Sequence, residues 1–343
     1  MTATILDGAL DRLRESGPER VGWLSNHAPM AVEALARAGY GHRVHQWIDG
    51  YADRLEERPR GIARIAPDEW RDPLGDPVRT GDWLDLFERE VRAVPWREVL
   101  SRWWPRLLPG IAAGATHGVI RVGHAVRALR EAETPARVTE LGQGLAYWAA
   151  RWQPLAPVGA GPYRSTDPRA ALDAVPRVPD QRFGIRHRLA QLADLPQWPE
   201  TAGAIPDAGP GTTAARLAAV VRAAAERHGS YGYGNPVMLV HAVTAPNAVK
   251  RVLPALPESM WPASLAAAWA AAAAVTAAYA PAEPRPLPQP RSDLTIAELA
   301  DRAEAIGDPH AIKYADAVAD VLAAMPDPAL LAAAARSVDE LAD

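Results

Sequence analysis

The chain contains no cysteine. That excludes disulfides, thiolate metal sites and a cysteine nucleophile, and it leaves any transition metal to His and carboxylate-type ligands. Lysine is almost as scarce. Of the 37 Lys and Arg residues only Lys250 and Lys313 are lysine. A formal net charge of −4 gives no electrostatic case for binding nucleic acid or an anionic membrane. No GxGxxG, GxxxxGK[ST] or GxSxG stretch occurs, so no nucleotide cradle, flavin cradle or nucleophile elbow is visible. HExxH and the ExxH pair of di-iron bundles are missing too. The one long apolar run, "ASLAAAWAAAAAVTAAYA" (263–280), is mostly alanine without close Lys/Arg anchors, and reads as a closely packed buried helix rather than a membrane span. The first residues, "MTATILDGALDRLRES", are amphipathic and charged rather than signal-like, so a cytoplasmic location is expected.

What is present is helical periodicity. Segments such as "DWLDLFEREV", "HGVIRVGHAVRALREA", "VTELGQGLAYWAARW" and "HAIKYADAVADVLAAM" repeat apolar residues with a 3.6-residue period. No run alternates like a strand between hairpin turns. The 33 prolines fall mainly between helical segments, notably in loops at 154–180 and 281–293. The pattern predicts an all-α, single-domain multi-helix array over residues 1–343, with a buried His-lined site.

The nine histidines sort by setting. His42, His45, His187 and His228 sit beside charged or polar residues and read as surface or ordinary packing residues. His27, His117, His124, His241 and His310 lie in apolar or small-residue runs. His117, Arg121 and His124 are spaced i, i+4, i+7 and share a face of a helix that is apolar elsewhere, so this polar stripe faces an interior site. Two turns, about 10.5 Å of rise, separate the two imidazoles, so they reach one metal only by leaning together, or one supports the other from behind. Asn235 and Pro236 form a capped start for the helix carrying His241, and Asp308 and Pro309 do the same for His310. Five such histidines in a chain without cysteine point to a metal.

Lys313 follows His310 by three residues, hence on the same helix face. A cation in the first turn opposes the helix dipole, which disfavours a merely solvated lysine there. A buried amine is pushed towards its neutral form and can then add CO₂ as a carbamate, an anionic oxygen ligand; arginine cannot. Lys313 is therefore expected as an amine, a carbamate or a supporting partner of a metal.

The blocks "WLSNHAPMAVEAL", "WWPRLLPGIAAGATHGVIRVGHAVRAL", "GLAYWAARW", "LVHAVTAPNAV" and "HAIKYADA" together resemble the questin oxidase-like family, from about residue 20 to 325. The resemblance implies oxidative ring opening of anthraquinone-type aromatic polyketides, long described as Baeyer–Villiger chemistry with NADPH. It also points to non-haem iron held by buried histidines. On matching blocks it carries over His27, His117, His124, His241 and the His310/Lys313 pair as metal-site residues. The expected function is an Fe(II)-dependent oxygenase with O₂ as co-substrate, cleaving a C–C bond of a small aromatic molecule. NADPH is possible, although no binding motif is seen. Arg121 is a candidate for binding a substrate oxyanion, its ordinary alternative being a buried pair with Glu140 or Glu33. Twelve tryptophans against two phenylalanines suit a flat substrate, with Trp23, Trp103, Trp104, Trp148 and Trp152 nearest the histidines in sequence. Two other classes fit the residues: a His-ligated zinc hydrolase, which lacks an evident carboxylate base, and a non-enzymatic helical binding protein with structural histidines.

Overall fold

A computed structural model of the chain describes residues 2–156, 165, 167–205, 210–291 and 293–342. Part of the 154–180 loop and one position of the 281–293 loop therefore lie outside the described residues. The protein is a multi-helix array, as its periodicity predicts. Its contacts fall into two compact units, 1–154 with 251–257, and 155–250 with 258–343.

In the first unit the helices are α1 (Thr2–Leu13), α2 (Ala28–Arg37), α3 (Val44–Tyr51), α4 (Thr80–Ala93), α5 (Trp96–Leu107), α6 (His117–Glu131) and α7 (Pro135–Ala150). Helices α6 and α7 pack on each other, α4 covers α7, and α2 lies along α6. Gly118 permits the approach of α6 to α7, because a Cβ there would sit 2.8 Å from the Trp148 ring. Helix α6 is buried on every side from His117 to Leu129, so its polar residues have to be satisfied by protein groups. Trp103 packs edge-on against Trp70 and Trp83, and Trp104 against Trp148, all in the core. Trp23 is 79% exposed instead.

A small antiparallel sheet also belongs to this unit: β1 (Ser16–Arg20) pairs with β2 (Leu24–Ser25) on one side and β3 (Leu55–Glu57) on the other. Sequence periodicity gave no sign of it. "SGPER" carries no apolar alternation, and its partners are two and three residues long, too short to show a period.

The second unit contains α8 (Pro168–Asp173), α9 (Ile185–Ala190), α10 (Trp198–Ala202), α11 (Pro210–Tyr231), α12 (Pro236–Leu239), α13 (His241–Val252, in this unit as far as Lys250), α14 (Trp261–Tyr279), α15 (Ile296–Ile306), α16 (Pro309–Ala324) and α17 (Pro328–Asp339). Proline opens many of these helices at a first-turn position where no N–H is needed. Side chains of Asp167, Asn235, Asp308 and Asp327 accept from the first-turn amides. The alanine-rich α14 is long and apolar enough to cross a membrane, but most of it is buried, from Ala268 to Tyr279 without a break. Helix α11 packs against α14, α16 and α17.

His228 on α11 is buried, not at the surface. Its Nε2 donates to the Pro236 carbonyl (3.0 Å), so its Nδ1 accepts from the Ser337 hydroxyl (2.9 Å). Burial pushes its pKa down from 6.5 to about 4. The unfolded chain thus binds a proton there that the folded chain refuses, and stability falls as pH drops from about 6.5 towards 4. Within that window the group contributes a slope of about 1.4 kcal/mol per pH unit. Urea denaturation between pH 6.5 and 4.5 should show His228→Gln losing that one-proton slope. An unchanged slope would mean that His228 is protonated in the fold.

Candidate functional site

In the first unit two of the predicted histidines meet. His27 caps α2, where Asn26 Oδ1 accepts from the Ala28 amide (2.9 Å) and Asn26 Nδ2 donates to the Gly17 carbonyl of β1 (3.0 Å). His27 Nδ1 lies 3.2 Å from the Tyr51 hydroxyl. His117 opens α6, and its ring meets that of His27 edge to face, centroids 4.5 Å apart. Both are buried. His117 Nδ1 is 2.7 Å from the Gly114 carbonyl, which can only accept, so the proton sits on Nδ1 and the lone pair on Nε2. This is the tautomer a metal ligand needs.

His124, two turns further along α6, has a different setting. Its Nε2 accepts from Arg251 (3.2 Å), so its Nδ1 carries the proton and donates to Glu33 of α2 (2.6 Å). Arg127 donates to both Glu33 oxygens. Burial and the Arg251 charge lower the His124 pKa to about 4, against the pull of Glu33. Burial alone would raise Glu33, but the Arg127 guanidinium and His124 hold it well below the usual carboxylate range. His124 is therefore neutral, and a cation at its Nε2 has to displace Arg251. Sequence spacing placed His117 and His124 on one face; their two-turn separation gives them separate neighbours.

Arg121 lies between them and is buried. Its Nε and Nη2 donate to the two oxygens of Glu140 on α7 (2.6 and 2.8 Å), and Nη2 also donates to Gln143 Oε1 (3.1 Å). Its Nη1 is buried without a hydrogen-bond partner. One face of the guanidinium is thus fixed by a two-point ion pair while one donor is left over.

In the second unit His241 and His310 meet edge to face, centroids 5.5 Å apart. His241, first residue of α13, repeats the arrangement of His117: its Nδ1 is 3.1 Å from the carbonyl three residues earlier, that of Met238. Burial and the nearby His310 and Lys313 charges hold its pKa well below 6.5, so it is neutral with the lone pair on Nε2. His310 sits in the first turn of α16, capped as expected by Asp308, whose Oδ1 accepts from the His310 amide (2.7 Å). Lys313 is 1% exposed, so the solvated alternative for this rare lysine fails.

The structure thus groups His27 with His117 and His241 with His310 and Lys313, and gives His124 and Arg121 carboxylate partners. Glu140 is the Arg121 partner the sequence offered as the ordinary alternative, whereas Glu33, offered with it, pairs with His124 instead. Arg251, Ser25 and Tyr147 were not read from the sequence as partners of these residues, since each acts across a long chain separation. Ser25 Oγ and Tyr147 OH lie 2.5 Å apart, buried, with burial raising the Tyr147 pKa to about 12. A family model described as Questin oxidase-like matches residues 24–162. This agrees with the N-terminal blocks of the resemblance; the blocks around His241 and Lys313 lie beyond the match. No curated protein matches the chain.

Glu33 lies in a fully buried network, and Glu33→Gln removes the negative charge to which two Arg127 nitrogens donate. A loss of about 3–5 kcal/mol is expected in denaturant unfolding, as for other broken buried pairs. A loss below about 1 kcal/mol would show that water screens these charges.

Proposed function

We propose that this protein is a metal-dependent oxygenase that cleaves a C–C bond in an anthraquinone-type aromatic substrate, with Fe(II) as the metal and O₂ as co-substrate. The observation that carries this reading is the repeated form of the two histidine pairs. In each, buried imidazoles meet edge to face, and one of them has its Nδ1 proton donated to the carbonyl three residues back. A purely structural core histidine pairs its donor and its acceptor nitrogen with protein groups, as His228 does. Two pairs, each containing a ring locked as the Nδ1–H tautomer, are the arrangement expected of ligands. The Questin oxidase-like match over the segment holding His27 and His117 supports the oxygenase class.

On this reading each pair is taken by itself: His27 and His117 supply nitrogen donors in the first unit, and His241 and His310 do so in the second. Lys313 supplies a neutral amine or, as its carbamate, an anionic oxygen donor. An all-nitrogen and carbamate donor set suits a borderline transition metal rather than Mg²⁺ or Ca²⁺. Bound Fe(II) would supply the redox capacity and an open position for O₂. The chain's own contribution is electrostatic. Arg121, held by Glu140, offers its remaining Nη1 donor to a phenolate or enolate oxygen of the substrate. Burial and the Arg251 charge keep His124 on the same helix neutral, against the pull of Glu33. The zinc hydrolase alternative loses ground, because Glu33 is engaged by Arg127 and is far too acidic to serve as a general base.

Oxygen-electrode measurements with hydroxyanthraquinones, with and without NADPH, test this reading. Substrate-dependent O₂ uptake is expected, abolished by chelator and reduced at least about 100-fold in His117→Ala, since losing a ligand removes the chemistry rather than tuning it. Lys313→Arg should be equally damaging, because arginine stays protonated. Turnover insensitive to chelator, or full activity in Lys313→Arg, would contradict it.

A further inference from the structure

The turn that leads into α6 is costly. Gly114, Ala115 and Thr116 all have positive φ (53°, 57° and 69°). A left-handed conformation costs an L-residue about 1–2 kcal/mol, and here two L-residues adopt it in succession. Thr116 stands at the N-cap position of α6 yet its hydroxyl makes no cap bond, and its Oγ1 is buried without a hydrogen-bond partner. The usual compensation for a helix start is therefore missing.

What the turn achieves is placement of one carbonyl. It folds the chain so that Gly114 O lies 2.7 Å from His117 Nδ1. The His117 amide donates to the same oxygen (3.2 Å), and from outside the turn Ser25 Oγ lies 3.4 Å from it. Ser25 in turn lies 2.5 Å from Tyr147 OH. Since a carbonyl only accepts, Ser25 donates to Gly114 and Tyr147 must donate to Ser25. The proton positions are thus fixed along the whole chain, from Tyr147 to Ser25 to the Gly114 carbonyl, with His117 donating to that carbonyl from the other side. The Tyr147 hydroxyl also explains why residue 114 is glycine, because a Cβ there would lie 2.5 Å from it.

We propose that Ser25 and Tyr147 are positioning residues: with the left-handed Gly114–Thr116 turn they clamp the Gly114 carbonyl, lock His117 as its Nδ1–H tautomer and present its Nε2 to a divalent transition metal. The metal part rests on the function proposed above. The tautomer part stands on the contacts alone. Ser25→Ala removes the carbonyl's anchor from outside the turn, and Tyr147→Phe removes the group that orients the Ser25 hydroxyl. The strained turn then relaxes, and the imidazole is free to exchange its proton between the two nitrogens.

The test uses the full-length protein and Co²⁺ as probe. Long-range ¹H–¹⁵N correlation of the imidazole nitrogens in metal-free protein reads the His117 tautomer, and a spectroscopic Co²⁺ titration reads affinity. Circular dichroism checks that each variant is folded. Wild type should show only the Nδ1–H form. Tyr147→Phe and Ser25→Ala should show a mixture of tautomers and bind Co²⁺ about 10-fold more weakly, the usual scale for losing a group behind a ligand. Folded variants that keep both the wild-type tautomer and the wild-type affinity would overturn the proposal. Variants that change the tautomer when the wild type itself binds no Co²⁺ would support the clamp and sink the metal reading alone.

Discussion

The hydrogen bond from His117 Nδ1 to the Gly114 carbonyl is the contact on which the first unit's interior is arranged. It requires three residues in left-handed conformation, and so a glycine beneath Tyr147. That tyrosine lies on α7, whose approach to α6 depends on Gly118 facing Trp148. The same close approach brings Glu140 against Arg121, and the packing of α2 on α6 brings Glu33 against His124 and Arg127. One imidazole orientation thus draws on the turn, two glycines and three helices. Its cost in backbone strain and buried charge is met by specific partners rather than by water.

The interior chemistry follows from how these groups are neutralised. Two buried ion pairs are each held by two contacts, Arg121 with Glu140 and Glu33 with Arg127. His124 and His241 stay uncharged, because burial and neighbouring cations lower their pKa values. Neutral imidazoles with fixed tautomers are poor proton carriers but good ligands. This favours metal binding over acid–base catalysis as the use of the arrangement repeated in both histidine pairs of this chain.

Much of this was legible in the sequence, for local reasons. Helix periodicity and Asn/Asp–Pro starts act within a few residues, so α6, α12 and α16, and the caps of the last two, could be read directly. His241 opens a helix of its own, α13, instead of continuing the one that Asn235 caps. The exposed His42, His45 and His187 could also be told from the five buried candidates, and Lys313 marked itself by rarity and by its poor fit to a solvated first turn. His228 could not be placed, because Glu226 and Arg227 beside it in sequence point to other sides of α11. The partners that decide the chemistry are distant: Glu33 and His124 are 91 residues apart, Ser25 and Tyr147 122. The left-handed turn at "GATH" is equally silent, since alanine and threonine carry no preference for it. The short β1–β3 sheet was missed because strands of two to five residues show no period.

The central claim is that buried imidazoles with anchored Nδ1 protons hold a transition metal. The most direct measurement is elemental analysis by mass spectrometry of protein prepared without oxygen or added chelator, alongside His117→Ala and His241→Ala. The account predicts iron in stoichiometric amount in the wild type and its loss in both variants. Wild-type protein that is folded and carries no stoichiometric transition metal, before or after incubation with Fe(II), would contradict it.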